Sequence, residues 1–208
     1  MLPLHFQSAT QIARQIADGS LGAREVLEHF LDRVDWLNPS INAVILQDRP
    51  AARARADAAD AARASGQALG PLHGVPMTVK ESYDLAGHPS TWGIPELQGN
   101  IASADVLAVQ RLAAAGANVF GKTNVPIRLA DFQSYNAIYG TTQNPWQAGA
   151  TPGGSSGGSA AALAAGRSCR ITALMLGLSR STRSRKCSRA SRAPRLPSAI
   201  WRAIWVAD

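Results

Sequence analysis

Apolar residues recur with a helical period through the first third of the chain. Residues 9–17 read as a short amphipathic helix closed by Asp18-Gly19. Ser20 is a good N-cap for a second helix, in which Leu21, Val26, Leu27, Phe30, Leu31, Val34 and Leu37 form one apolar stripe. Asn38-Pro39-Ser40 is expected to stop it, since proline removes a backbone donor and restricts the residue before it. Residues 41–46, Ile-Asn-Ala-Val-Ile-Leu, predict a strand. Residues 50–64 are alanine-rich, with Arg53, Arg55, Asp57, Asp60 and Arg63 interspersed, which predicts a half-exposed helix whose charges form a solvated face. Residues 66–70 form a loop.

The middle of the chain changes rhythm. Residues 76–81, Pro-Met-Thr-Val-Lys-Glu, predict a strand that carries Lys80, followed by a loop over residues 86–93 with two glycines and a proline. Residues 105–115 predict an amphipathic helix with Gly116 as its C-terminal stop. Residues 118–122 predict the next strand. The order helix, glycine, strand argues for an α/β fold, a mixed sheet covered by helices. Residues 127–135 contain Leu129, Phe132 and Tyr135 with Asp131 and Gln133 between them, and read as a core helix on pattern alone.

Residues 151–165, TPGGSSGGSAAALAA, set Ser155 and Ser156 among four glycines, ahead of a run of small residues with high helix propensity. Glycine lets the backbone adopt positive φ and approach a substrate closely. A loop of this kind feeding a helix N-terminus offers free N–H groups to developing negative charge. A flexible Gly/Ser linker is the alternative, but an apolar helix directly behind it argues against one. Residues 116–123, GANVFGKT, fit the phosphate-loop spelling G-x4-G-K-T. A phosphate loop follows a strand and opens a helix, whereas here the first glycine follows a helix and Val119-Phe120 is strand-forming, so nucleotide binding is rejected. No Ser-His-Asp reading is persuasive for any of the four histidines, His5, His29, His73 and His88. His29 reads as structural and His88 as a solvated loop side chain.

Lys80 lies upstream in Gly70-Pro71-Leu72-His73-Gly74-Val75-Pro76-Met77-Thr78-Val79-Lys80-Glu81. Between it and the serine loop come Ala115-Gly116-Ala117, then Gly121-Lys122-Thr123-Asn124, then Tyr139-Gly140-Thr141-Thr142-Gln143-Asn144-Pro145-Trp146. In order and spacing, residues 8–166 resemble the amidase signature family, the Ser-Ser-Lys amidohydrolases. The resemblance implies hydrolysis of a linear carboxylic amide to an acid and ammonia or an amine, through a seryl acyl-enzyme. It implies no metal or organic cofactor. Lys80 is then the general base, a role open to a lysine whose pKa is lowered by burial. Ser155, at a cis peptide bond, is the serine that relays a proton between lysine and nucleophile. Gly153 and Gly154 shape the loop, Ser156 adds hydrogen bonds, and Phe132 and Gln133 lie on the segment that lines the acyl side of the pocket. The glutaminase subunit of tRNA-dependent transamidation belongs to the same family, but residues 125–136, VPIRLADFQSYN, look more like the general bacterial amidases.

The family's acylated serine stands 24 residues past the relay serine, in a D-x-G-G-S-x-R segment. Ser179 occupies that distance here, within Leu176-Gly177-Leu178-Ser179-Arg180-Ser181, without the Asp or the Gly-Gly. Ser179 is therefore the candidate nucleophile on spacing alone. From Arg167 on, composition shifts: residues 167–208 hold ten basic residues and one acidic, against eleven basic and thirteen acidic in residues 1–166. The net charge of +7 thus belongs to the last 42 residues, and a nucleic-acid reading of the whole domain does not follow from it. This segment is expected to be a disordered basic tail or the product of a shifted reading frame, which would leave the chain impaired in catalysis. A genuine tail that makes the protein a non-catalytic basic binding module is the alternative. Cys169 and Cys187 both lie there and match no metal or disulfide framework. The partner expected is a small-molecule amide, with no nucleic acid and no membrane. No run of 18 apolar residues and no basic-then-apolar leader is present, so a cytoplasmic location is expected. Oligomeric state is left open by the sequence.

Overall fold

A computed structural model describes residues 3–166. Helix α1 (Ala9–Ala17) begins at Ser8, whose side chain accepts from the Gln11 backbone while the Gln11 side chain accepts from Ser8 N–H, a reciprocal capping box. Its buried residues Ala9, Ile12, Ala13 and Ile16 follow the helical period. Helix α2 (Ala23–Ile41) buries Ala23, Val26, Leu27, Phe30, Leu31 and Val34 on one stripe, as the sequence pattern predicts.

Both ends of α2 differ from the sequence expectation. Ser20 is not its cap: the hydroxyl bonds Asp18 and the Gln15 carbonyl, closing off α1. The cap position is Gly22, and the carboxylate of Asp60 accepts from Ala23 N–H at 2.7 Å and Arg24 N–H at 3.0 Å. A residue 37 positions away supplies what a local Ser was expected to supply. At the other end the helix runs through Pro39 to Ile41, and Asn42 closes it in the left-handed conformation. The Asn38 side chain makes this possible, accepting from Ala43 and Val44 N–H and donating to the Val44 carbonyl.

Strand β1 (Val44–Gln47) starts later than expected for the same reason. Helix α3 (Arg49–Ala64) buries only Ala52 and Ala56. Part of its charged face engages α2: Arg53 and Arg24 both reach Glu28, and Arg24 also reaches Asp57. Strand β2 (Pro76–Lys80), helix α4 (Leu107–Ala114) and strand β3 (Asn118–Thr123) complete the α/β rhythm.

The sheet order is β1-β3-β2, with β3 antiparallel to β1 and parallel to β2. All six residues of β3 are buried. Gly121 sits at its centre because a Cβ there would overlap the Leu46 carbonyl of β1. The GKT spelling of residues 121–123 is thus strand, and Lys122 is fully buried among protein oxygens rather than open to phosphate. Helix α3 is tied to β3 by Arg55, which donates to Asn118 Oδ1 and the Val119 carbonyl. Helix α5 (Gly157–Ala164) packs across all three strands, burying Ala161 and Ala162 in the shared core. The Arg33 guanidinium of α2 donates to the carbonyls of Ala165 and Gly166 at the far end of α5.

Residues 127–135 are not a helix. A single 3-10 turn, Ile127–Leu129, carries Arg128 and Leu129 at positive φ. The chain then bends into β4 (Tyr135–Asn136), which pairs with β5 (Gly140–Thr141) as a small hairpin. Long-range hydrogen bonds win over local pattern here: Arg128 N–H is bound by the Trp92 carbonyl, and the buried Asn136 amide donates to Asn124 Oδ1 and the Val125 carbonyl.

Candidate active site

Lys80 ends β2, and residues 151–156 form the loop that enters α5. The two meet: Lys80 Nζ lies 2.8 Å from Ser155 Oγ, across 75 residues of sequence. Lys80 is half-buried, and that loss of water lowers the pKa of its ammonium below the ordinary lysine value. The peptide bond between Gly154 and Ser155 is cis.

The glycines of the loop are explained by contact. A Cβ on Gly154 would strike the backbone of residues 131–133, and one on Gly158 would strike the backbone of Asn124. A Cβ on Gly157 would meet the Ser134 side chain. Gly153 has φ +84°, which disfavours any other residue. The serine loop is therefore pressed onto the end of β3 and onto the segment behind the 3-10 turn.

Beside it opens a cavity of about 530 Å3, lined by residues 129–132, 152–157 and Ala160. Ser155, Ser156, Gly153, Gly154 and Phe132 contribute to its wall. Phe132 is 84% exposed and stands at the rim rather than in a core. Gln133 is exposed and does not line the cavity; only its backbone nitrogen approaches Gly154. Ser156 occupies the cap position of α5 without a side-chain capping bond. Among the described residues Asp131 is the one charged residue of the lining, and its bond to the Tyr135 hydroxyl raises the pKa of that phenol. Ser179 lies outside the described residues.

A second polar cluster stands behind Lys80, and the sequence pattern does not reveal it. Glu81 is fully buried, its carboxylate accepting from Thr91 N–H, Thr91 Oγ1–H and Trp92 N–H. Lys122 donates to the Glu81 carbonyl, the Pro89 carbonyl and Ser90 Oγ. Burial lowers the Lys122 pKa, with the nearby Glu81 carboxylate pulling the other way. Burial raises the pKa of Tyr139, whose hydroxyl bonds Thr91 and Glu81. The adjacency Lys80-Glu81 in the sequence points to none of these partners.

The histidines are occupied elsewhere. His5 and His29 bond each other, His73 bonds the Ala59 carbonyl, and His88 bonds the Ala86 carbonyl with the Asp48 carboxylate 3.5 Å away. His88 is thus a partnered side chain rather than a solvated one. Among the described residues no three His, Cys, Asp or Glu side chains are grouped as metal ligands, and no helix is long and apolar enough to cross a membrane.

The candidate site is thus a strand-end lysine against a serine at a cis peptide, beside a glycine-walled cavity. The sequence matches the Amidase family over residues 25–170, and the chain belongs to that family. It is similar to an acylamidase of Rhodococcus erythropolis, 44% identical over 165 residues that cover 78% of this chain and 34% of the relative. A glutamyl-tRNA(Gln) amidotransferase subunit from Acidothermus cellulolyticus is 40% identical over 159 residues, 76% of this chain and 32% of the relative. The structure of a bacterial aryl acylamidase of the amidase signature family superposes with a TM-score of 0.76 at 31% identity, covering 80% of this chain and 35% of that one. The chain thus spans about a third of the length of the relatives it matches.

Proposed function

We propose that the chain carries the base-and-relay half of an amide hydrolase acting on a linear carboxylic amide. The observation that carries this reading is the 2.8 Å contact between Lys80 and Ser155 at the edge of the cavity. Lys80 as a free amine takes the proton of Ser155, while Ser155 takes the proton of a nucleophilic serine. That serine's oxygen bonds to the amide carbon, giving a tetrahedral oxyanion. On collapse the C–N bond breaks, and the proton returns through Ser155 to the departing amine. Water, deprotonated by the same pair, then cleaves the seryl ester to release the acid. Burial serves the first step, since it raises the fraction of Lys80 in the neutral form that can accept a proton.

In our reading residues 8–166 hold the base and the relay, and the candidate nucleophile at the family's spacing falls in the basic stretch of residues 167–208. Because no D-x-G-G-S-x-R segment occurs, Ser179 is the nucleophile assigned on spacing, and the 208-residue chain by itself turns over slowly. The test is hydrolysis of acyl anilides by the purified chain, with Lys80→Met, Ser155→Ala and Ser179→Ala beside it. Loss of a general base lowers turnover about 100-fold or more. Turnover that survives both Lys80→Met and Ser155→Ala would sink the mechanism, and a rate typical of a complete amidase would sink the assignment of impairment.

The similarity to the amidotransferase favours glutamine as a second substrate class. Ammonia release from glutamine, measured in the same preparation, separates the two. The residues after Gly121-Lys122-Thr123-Asn124 favour the acyl amide.

A further inference from the structure

The Lys80–Ser155 contact joins a strand to a loop, and something must fix the distance between them. Thr123 is the cross-strand neighbour of Lys80 in the parallel pairing of β2 with β3. Its hydroxyl bonds the carbonyl of Val79, the residue before Lys80, at 3.2 Å. The same hydroxyl lies 2.5 Å from Ser159 Oγ, in the first turn of α5, four residues past Ser155. Thr123 has one hydroxyl hydrogen. Given to Val79, it leaves Ser159 to donate to Thr123. Both side chains are buried, at 0% and 2% exposure, where an unmade hydrogen bond is costly. Gly158, next to Ser159, lies so close to the backbone of Asn124 that no Cβ fits between them. The first turn of α5 is thereby held to the end of β3 by one hydroxyl pair and one backbone contact.

We propose that Thr123 and Ser159 are positioning residues: their buried hydroxyl contact seats the first turn of α5 on the β2–β3 edge and so sets the separation of Lys80 and Ser155. This rests on the reading of Lys80 and Ser155 as base and relay. Neither residue reaches the cavity, and both act through the pair they hold together.

The chain has only three lysines, Lys80, Lys122 and Lys186, so labelling lysine with 13C at the ε carbon gives three signals, and Lys80→Met assigns one of them. The test is the titration of Lys80 in the full chain and in the double variant Thr123→Val/Ser159→Ala. That variant replaces both hydroxyls by apolar groups of similar shape and also removes the Val79 carbonyl's bond from Thr123, which Ser159→Ala alone keeps. With the contact gone, α5 moves off its seat and water reaches Lys80. The expected result is a Lys80 midpoint that moves up toward its solvated value, with the Lys122 signal unmoved. Thr123→Ser, which keeps the hydroxyl, is expected to titrate as the unaltered chain does. Ser159→Ala alone makes the smaller change and is the fallback reading if the double variant unfolds in urea too early to titrate. A folded variant without the contact, in which Lys80 titrates as before, overturns the proposal. Absence of amide turnover in the unaltered chain would instead count against the proposed function and leave this titration valid.

Discussion

Two lysines stand near the ends of neighbouring strands, and they are built for opposite ends. Lys122 is fully buried and its three ammonium hydrogens have three acceptors, two carbonyls and the Ser90 hydroxyl. Lys80 is half-buried and, among the described residues, has one side-chain partner, Ser155, beside a cavity. Burial lowers the pKa of both. What separates them is satisfaction of donors. A lysine whose three hydrogens all have buried acceptors holds structure together. A lysine with one hydroxyl neighbour and a weakened hold on its proton can exchange that proton. Burial alone would not have told the two apart.

The largest effect on stability is expected at Lys122. Lys122→Met strands the Glu81 and Pro89 carbonyls and removes the cation opposite the Glu81 carboxylate, at a cost of about 3 kcal/mol. Urea denaturation measures it, and a loss under about 1 kcal/mol would erase the contrast between the two lysines. Lys80→Met is expected to cost little stability, within about 1 kcal/mol, because it removes a partly desolvated charge with one partner, while abolishing whatever turnover the chain has. A Lys80 variant as destabilised as the Lys122 variant would show that both lysines are structural.

The pH dependence sharpens the same point. The folded pKa of Lys80 lies below its unfolded value, so folding pays a penalty for the charged form, and stability rises as pH climbs from the folded toward the unfolded pKa. In Lys80→Met that part of the rise disappears, which alkaline urea titrations would detect. The smallest effect belongs to the surface. The two arginines around Glu28, Arg53 first, hold its carboxyl down at about 2. A depressed acid contributes stability above its unfolded pKa and loses it as pH falls through the folded one, here between roughly 4.3 and 2. Because the side chains are partly exposed, Glu28→Gln should cost at most about 1 kcal/mol at neutral pH and nothing at the acid end of that window.

The sequence made the early helices legible because their burial is periodic and local: Val26, Leu27, Phe30, Leu31 and Val34 announce one face of α2 without any partner in view. It misled where a distant group replaced a local one. Asp60 took the role expected of Ser20, and the Asn38 side chain carried a helix past Pro39. The same holds for residues 127–135, where apolar spacing suggested a helix and hydrogen bonds to Trp92, Asn124 and Val125 drew the chain into a turn and a hairpin. Of the site, Lys80 and Ser155 could be paired only by resemblance, since nothing in either local stretch points to the other. The clusters around Glu81–Lys122 and Thr123–Ser159 were invisible, because each joins segments whose separation is unconstrained by pattern.

Gly121 offers no side chain to the core, yet the seam between β1 and β3 closes only because that space is vacant. In a library covering every substitution, position 121 should be as unforgiving as Phe120 beside it, and for the opposite reason: one is required for the volume it fills, the other for the volume it leaves. A ranking of residues by buried area would place these neighbours at opposite ends, and the survivors of selection would place them together.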